Sequence, residues 1–434
     1  MRRLLTNALA LALLAPVARA EEAAPTKTLA ECVAIAIAQH PSLKAASASV
    51  EAGGQRVRQA AASYLPQVTA AYTANRRNTS AAARTGVQIS GVGTQAQTFN
   101  FYNTGASFTQ VLFDFGQTLN SIRAAQATEA SLEADLSTQR DTVVLGVKQA
   151  YFNILAARRL LVVADETVRQ NQKHLEQAEA RLEVGLAPKF DVTQAGVQLA
   201  NAELNQITAR NNVSVARETL RNALGLTGPL DFDIVDNLGL RAVQISEDAA
   251  LAMAYDHRPE LQSFRAQILS SSEQIAGLQK NYLPNVTGNG NYQWSGSDYP
   301  LEKNWNIGAA VNLSLFNGGL TTAQVGEQKA TLANLKYNEE VQRQNIALEI
   351  RQAVLNLQQA AESIRVSEKA LDQARENLEL AEGRYNTGVG NIIEVTDAQA
   401  SRTTAEANYV RALYTYNTTV AELEKATAQQ LAAD

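Results

Sequence analysis

The side chains able to do covalent or metal chemistry are few and scattered in this sequence. Three histidines (His40, His174 and His257) and one cysteine (Cys32) stand beside 43 Asp and Glu. A zinc site needs ligands at short fixed spacings, as in H-E-x-x-H. A phosphate site needs a Gly-rich loop ending in Lys, and a serine nucleophile needs the sharp G-x-S-x-G turn. None of these patterns occurs, and no G-x-G-x-x-G opens a helix after a strand. His40 precedes Pro41, His257 stands two residues before Pro259, and His174 adjoins an apolar heptad position, so all three read as solvated or partly buried helix residues. The acids are spread as solvated helical surface charge. The sequence predicts a protein that is not an enzyme, with no catalytic, cofactor-binding or metal-binding residues. With 38 Lys and Arg against 43 Asp and Glu, net −5, nothing points to a nucleic-acid partner.

A single cysteine allows no internal disulfide. Leu29-Ala30-Glu31-Cys32 faintly resembles a lipidation box, but Glu31 occupies the place of a small residue, and Cys32 reads instead as a buried structural thiol. The scaffold must therefore carry the function. Residues 1–20 read as a signal peptide: Arg2 and Arg3, an apolar run from Leu4 to Val17, and an A-x-A cleavage site at Ala18-Arg19-Ala20. Beyond it no apolar run reaches the length of a membrane-spanning helix, which excludes an inner-membrane transporter but not a β-barrel.

The chain is internally duplicated. His40-Pro41-Ser42-Leu43 matches Arg258-Pro259-Glu260-Leu261, and Tyr64-Leu65-Pro66 matches Tyr282-Leu283-Pro284, both at an offset of 218. Phe113-Asp114-Phe115-Gly116 then matches Phe316-Asn317-Gly318-Gly319, and Arg181 to Gly185 matches Arg384 to Gly388, at 203. The first copy thus holds 15 extra residues between Tyr72 and Phe108, a Gly/Ser/Thr/Ala-rich stretch expected to form a loop. Two repeats follow, residues 21–227 and 228–434. Each reads helix, β-hairpin (about 66–114 and 284–316) and long helical hairpin (about 117–224 and 319–427). Thr28 and Glu31 stand at capping-box spacing for the first helix, and the second copy starts near Ser246.

In the second hairpin Val286, Gly288, Gly290, Tyr292 and Trp294 alternate with Asn285, Thr287, Asn289, Asn291 and Gln293. The returning strand sets Trp305, Ile307, Ala309, Val311, Leu313 and Leu315 against a polar side with Asn304, Asn306, Asn312 and Ser314. This fits barrel strands with an apolar outside and a polar, uncharged inside. Four strands cannot close, and an open edge is not tolerated in lipid, so several protomers must contribute. Three would supply twelve strands.

The helices that follow carry a heptad stripe, Ala353, Leu357, Ala360, Ile364, Ser367, Leu371, Ala374, Leu378, Ala381 and Tyr385, matched in the first copy from Ala150 to Leu182. Nearly 70 residues without Pro make a helix about 100 Å long.

These features together resemble the TolC/OprM family of outer-membrane efflux proteins, on its non-lipidated branch. The Tyr-Leu-Pro hairpin entries, the Phe-Asp-Phe-Gly and Phe-Asn-Gly-Gly exits and the turns Arg181–Val192 and Arg384–Val395 carry the resemblance over essentially the whole mature chain. It implies an α+β membrane protein: a homotrimer with a twelve-stranded transmembrane β-barrel in outer-membrane lipid, continued by a helical barrel into the periplasm. Such a duct serves a multi-component efflux pump or type I secretion system, with a periplasmic adaptor protein and an inner-membrane pump of RND or ABC type as partners.

By the same resemblance Glu394 and Asp397 ring the periplasmic entrance, Asp191 and Tyr385 take part in an entrance latch, and Gly185, Leu186, Gly388 and Val389 meet the adaptor. The latch's basic residue falls on Gly390, which leaves Lys189 or Arg384 to substitute. Two local readings stand beside these roles: acids in a helix's first turn meet its dipole, and Leu186 covers a helix end. A self-sufficient porin is the runner-up function, and a coiled-coil adaptor or adhesin the third.

Overall fold

The computed structural model describes residues 25–79, 97–240, 243 and 245–430. The expected signal peptide and residues 80–96 of the inserted loop lie outside the described residues. The elements are β1 (Thr26–Lys27), α1 (Leu29–Gln39), α2 (Pro41–Ala61), β2 (Gln67–Thr79), β3 (Gln97–Phe113), α3 (Gln117–Glu183) and α4 (Lys189–Ala223). After β4 (Asp233–Ile234) come α5 (Glu247–His257), α6 (Pro259–Gln279), β5 (Asn285–Gly296), β6 (Glu302–Asn312), α7 (Leu320–Asn386) and α8 (Ile392–Thr427).

Both α3 and α7 run for 67 residues, about 100 Å. Each α1, α2 and β2 bound recurs 218 residues later except at the far end of β2, and the α3 bounds recur exactly 203 residues later.

Thr28 caps α1 in a full capping box with Glu31, and Ser246 caps α5 through Ala249 N. Where the sequence pattern predicts one opening helix per copy, there are two. His40 and Arg258 precede Pro41 and Pro259, and the clash of the proline ring with the preceding residue holds both extended (ψ 126° and 123°). Pro then starts the next helix, its missing N–H costing nothing there, while His40 Nδ1 accepts from Ser42 N at 3.2 Å.

The hairpins form one four-stranded antiparallel sheet in the order β2-β3-β5-β6, so β2 and β6 are its edges. Tyr292 faces Trp305, Gly290 faces Ile307 and Val286 faces Val311, while Asn291 faces Asn306 and Gln293 faces Asn304. Apolar and polar residues therefore keep to opposite faces, as the alternation predicts. Thr69 and Ser107 are hydrogen-bonded on the polar face at 2.8 Å. Gly290 is required where it stands, because a Cβ there would run into the ring of its cross-strand neighbour Phe108. The sheet departs from the pattern in two ways. β6 ends at Asn312, so Leu313 and Leu315 lie past the strand. And the polar face, read as uncharged from the second hairpin, carries Glu302 in β6 and, in the first hairpin at the end remote from the helices, Arg77, Phe99 and Phe101.

At the sheet's other end the helices pair. α3 packs on α4, α2, α6 and α8, and α7 on α8 and α6. The second stripe is buried at Ala353, Leu357, Ala360, Ile364, Leu371, Leu378, Ala381 and Tyr385. The first is buried at Ala150, Ile154, Ala157, Asn171 and Ala178, but its last member, Leu182, is exposed. The main core gathers where the short elements wrap the long helices: β1 pairs with β4 in parallel, Tyr151 is fully buried and donates to Val235 O at 2.6 Å, and Arg158 pairs with Asp233. Cys32 is fully buried there, as expected, and burial pushes its thiol up to about 11.

Candidate functional site

Both long hairpins turn in the same way. Gly185 (φ 74°) and Gly388 (φ 78°) adopt the left-handed conformation, which costs glycine little and lets the following amides reach back to the helix end. Gly185 N donates to Leu182 O (3.0 Å) and Leu186 N to Arg181 O (2.8 Å). In the second copy Gly388 N donates to Tyr385 O (3.1 Å) and Val389 N to Arg384 O (3.0 Å). Leu186 does not cover the helix end: it is 79% exposed, and its counterpart Val389 72%. Val184 and Phe190 are exposed beside them. The turns end the helical hairpins in a small apolar surface.

Beyond the second turn, Asn391 caps α8 by accepting from Glu394 N at 3.0 Å. Glu394 is held by Arg384, whose Nε donates to its carboxylate at 3.1 Å. Asp397, one helical turn on, is exposed and has no ion pair among the described residues. The two entrance acids are thus unlike: one is neutralised within the chain, the other is open.

The two latch candidates are not joined. Asp191 stands in the first turn of α4 at the position equivalent to Glu394, with no side-chain partner among the described residues. Tyr385 is 5% exposed, in a small core with Leu378, Ala381, Ile392, Val395 and Ala398. Its hydroxyl is buried without a hydrogen-bond partner. Arg181, the counterpart of Arg384, stacks over the Tyr385 ring at 4.0 Å and donates twice to its carbonyl at 3.2 Å. Arg384 is engaged with Glu394 instead. At Gly390 a Cβ would lie 3.0 Å from Arg384 Cβ and 3.1 Å from Tyr385 N, so the fold itself resists a side chain where the resemblance places a base.

Sequence reasoning missed Arg181. Its signal was the shared Arg that opens both turns, but which partner each arginine takes depends on packing between helices. It also missed the isolation of His174, whose ring nitrogens are both buried without hydrogen bonds, 3.9 Å from Glu382. Burial pulls its pKa below the usual imidazole value, against the opposing charge of Glu382. Among the described residues no cluster of His, Cys, Asp and Glu could hold a metal ion.

A sheet whose edges β2 and β6 have no partner strand among the described residues is continued by paired helices about 100 Å long that end in apolar turns. The sequence profile of the family described as Outer membrane efflux protein matches residues 33–226 and 250–429, and the chain belongs to that family.

Similar proteins include Outer membrane protein TolC of Escherichia coli K12, 24% identical over 87% of this chain and 77% of that protein. Outer membrane efflux protein BepC of Brucella suis is 22% identical over 87% and 80%. The Cation efflux system protein CusC of Escherichia coli K12 is 22% identical over 71% and 70%. Among solved structures, the Campylobacter jejuni CmeC outer membrane channel superposes with a TM-score of 0.80 at 19% identity, over 93% of this chain and 86% of that one. The function of this family, the outer-membrane duct of an efflux system, is the function of this chain.

Proposed function

We propose that the chain works as a homotrimer whose twelve strands close a barrel in the outer membrane, and that it discharges cargo handed over by an inner-membrane pump and a periplasmic adaptor. The observation that carries this reading is the pair of sheet edges, β2 and β6, without a partner strand among the described residues, on a sheet with an apolar face. Lipid offers no partner for those backbone groups, so another copy must. A self-sufficient porin needs no helices of this length, and a soluble rod needs no sheet with an apolar outer face.

The internal repeat also gives the register of closure. Shifting the β2–β3 pair Gln67/Thr109 by 218 and 203 residues yields Asn285/Asn312, the pairing found in β5–β6. The same shifts applied to the β3–β5 pairs Phe108/Gly290 and Asn103/Ser295 set β6 of one copy against β2 of the next. Val311 then faces Tyr72, and Asn306 faces Arg77. Apolar meets apolar and polar meets polar, which the rule was not chosen to produce.

Directly opposed antiparallel residues have Cα atoms about 4.5–5.5 Å apart, within disulfide reach. Tyr72→Cys/Val311→Cys should therefore form covalent trimers under oxidation, while Tyr72→Cys/Ala309→Cys should not. Equal cross-linking of both, or of neither, would refute this closure.

In the trimer Glu394 and Asp397 line the entrance and attract cations, with Asp397 the stronger contributor because Arg384 compensates Glu394. Gly185, Leu186, Gly388 and Val389 form the adaptor's docking surface, which the exposed Leu186 and Val389 support. For the latch, Tyr385 acts through its packing on Arg181 within one chain, and Asp191 is the member free to bond a neighbouring copy.

A further inference from the structure

The seam between the two helical hairpins changes character along its length. The contacts Lys148–Glu424, Gln149–Glu422 and Thr167–Thr403 fix an antiparallel register of α3 on α8. Away from the turns both helices feed the apolar main core, α3 with Ile154 and Ala157, α8 with Leu413 and Tyr416. Toward the turns the seam becomes polar: the register brings Asn171 level with Gln399, and His174 level with Thr396. Gln399 Nε2 donates to Thr403 Oγ1 at 3.5 Å, but its Oε1 is buried without a hydrogen bond among the described residues. Both ring nitrogens of His174 are in the same state, with only 13% of the side chain exposed. Helices that needed nothing but adhesion here would be served better by apolar residues, since buried polar atoms left without hydrogen bonds oppose packing.

Resting on the duct reading above, we propose that His174 makes this stretch an acid-released clasp: a proton taken up by the imidazole loosens the first hairpin from the second near the entrance, so the duct opens more readily in acid. The groups around the ring set the sign. From α7 it faces Glu382, 3.9 Å away and 38% exposed. From α8 the register presents Thr396 and Gln399, while Asp397 is exposed. From α4, by the contacts of Asn171 with Gln198 and Asp165 with Gln206, it meets the neutral stretch Gln194 to Gln198, with Asp191 a turn further on. On α3 itself the residues one turn away are Gln170, Asn171, Gln177 and Ala178, and Lys173 and Glu176 point elsewhere round the helix. Of these charges Glu382 alone pulls appreciably on the ring, favouring its charged form, and burial outweighs that pull. The packed imidazole therefore binds a proton less readily than a wetted one. By linkage, acid favours whichever arrangement wets the ring, and the clasp is restored above the ordinary imidazole range. The next contact toward the entrance, Arg181 on Tyr385, is the one that such a parting strains.

The test reads the seam and the channel separately. In the purified full-length protein, the thiol introduced by Gln399→Cys should react with a small maleimide faster at about pH 5.5 than at about pH 7.5. Dividing by the rate for the exposed Ala400→Cys removes the thiol's own pH dependence, and peptide mass spectrometry separates both from buried Cys32. The ratio should rise about three- to tenfold, tenfold being the ceiling for one imidazole of ordinary pKa 6.5. His174→Gln and His174→Leu should each abolish the rise. Asp397→Asn should leave it intact, and Glu382→Gln should not reduce it, because that carboxylate steadies the packed imidazolium. In bilayers at about pH 5.5 the parent should dwell open longer than His174→Gln at the same reversal potential. Thr167→Cys/Thr403→Cys, at hydroxyl oxygens 3.1 Å apart, should lock the seam and remove that difference until the disulfide is reduced. No rise in the ratio, an equal rise without His174, or a rise lost in Glu382→Gln would overturn the clasp. A rise that depends on His174 in trimers that conduct at no pH would refute the duct reading while upholding the release of the seam.

Discussion

The main core of this chain contains a buried ion pair whose removal should be felt by the whole assembly. Lys148 of α3 and Glu424 of α8 lie 2.5 Å apart, with only 13% and 9% of their side chains exposed. Charges so placed have lost most of their hydration, and their mutual attraction replaces it. Lys148→Met fills a similar volume but removes the ion pair to the Glu424 carboxylate, at a cost of about 3 kcal/mol. That should lower the thermal unfolding midpoint of the detergent-solubilised protein at pH 7 by roughly 5 °C or more. The double variant Lys148→Met/Glu424→Leu replaces both charges by apolar groups and should recover to within about 1 kcal/mol of the parent, roughly 2 kcal/mol better than Lys148→Met alone. Because the pair is shielded, the loss in Lys148→Met should be nearly the same in 0.05 M and 0.5 M NaCl. An unchanged midpoint in Lys148→Met, a double variant worse than the single, or an effect abolished by salt would refute the buried-pair account.

Asp141 gives a pH prediction of definite sign. Burial first, and then the charge of Glu260, raise its pKa against the pull of Arg140, Lys425 and Arg258. The charged form is therefore a liability in the fold, absent below the unfolded carboxylate pKa and growing as pH rises through the folded one; Asp141→Asn should melt above the parent at pH 7 and level with it near pH 4. Gly390→Ala should push α8 away from the end of α7, costing about 1–3 kcal/mol by overpacking, and bilayer recordings should show longer open times than the parent. At the entrance, Asp397→Asn should reduce cation selectivity, read as the reversal potential in a KCl gradient, more than Glu394→Gln does. Arg384→Gln should increase it, because it frees the second carboxylate.

The sequence was most legible where one periodicity ran unopposed. The stripe from Ala353 to Tyr385 identified the buried face of α7, and the offsets of 218 and 203 anticipated the element bounds almost to the residue, because local sequence and long-range packing ask for the same thing there. The alternation of Val286 to Trp294 sorted the two faces of β5 correctly. The break at His40-Pro41 was readable from the proline rule but masked by apolar residues that continue on both sides. β6 stops at Asn312 although the alternation runs on to Leu315, since alternation marks faces and says nothing of where a partner strand ends.

Around the turns, residue types alone could not assign the contacts. Arg181 and Arg384 occupy equivalent positions, yet one stacks on Tyr385 and the other binds Glu394, a choice set by which helix lies alongside. The face taken by Phe99 and Phe101 follows only from the strand register, which sets them on the polar side.

Single-channel conductance of the purified protein in planar bilayers tests the central claim most directly. A barrel closed by several copies and narrowed by acids at its helical end predicts a small, cation-selective conductance that polyvalent cations block from the helical side, with selectivity and block both weakened in Asp397→Asn. A large, unselective pore indifferent to that substitution, or folded trimers that never conduct, would contradict it.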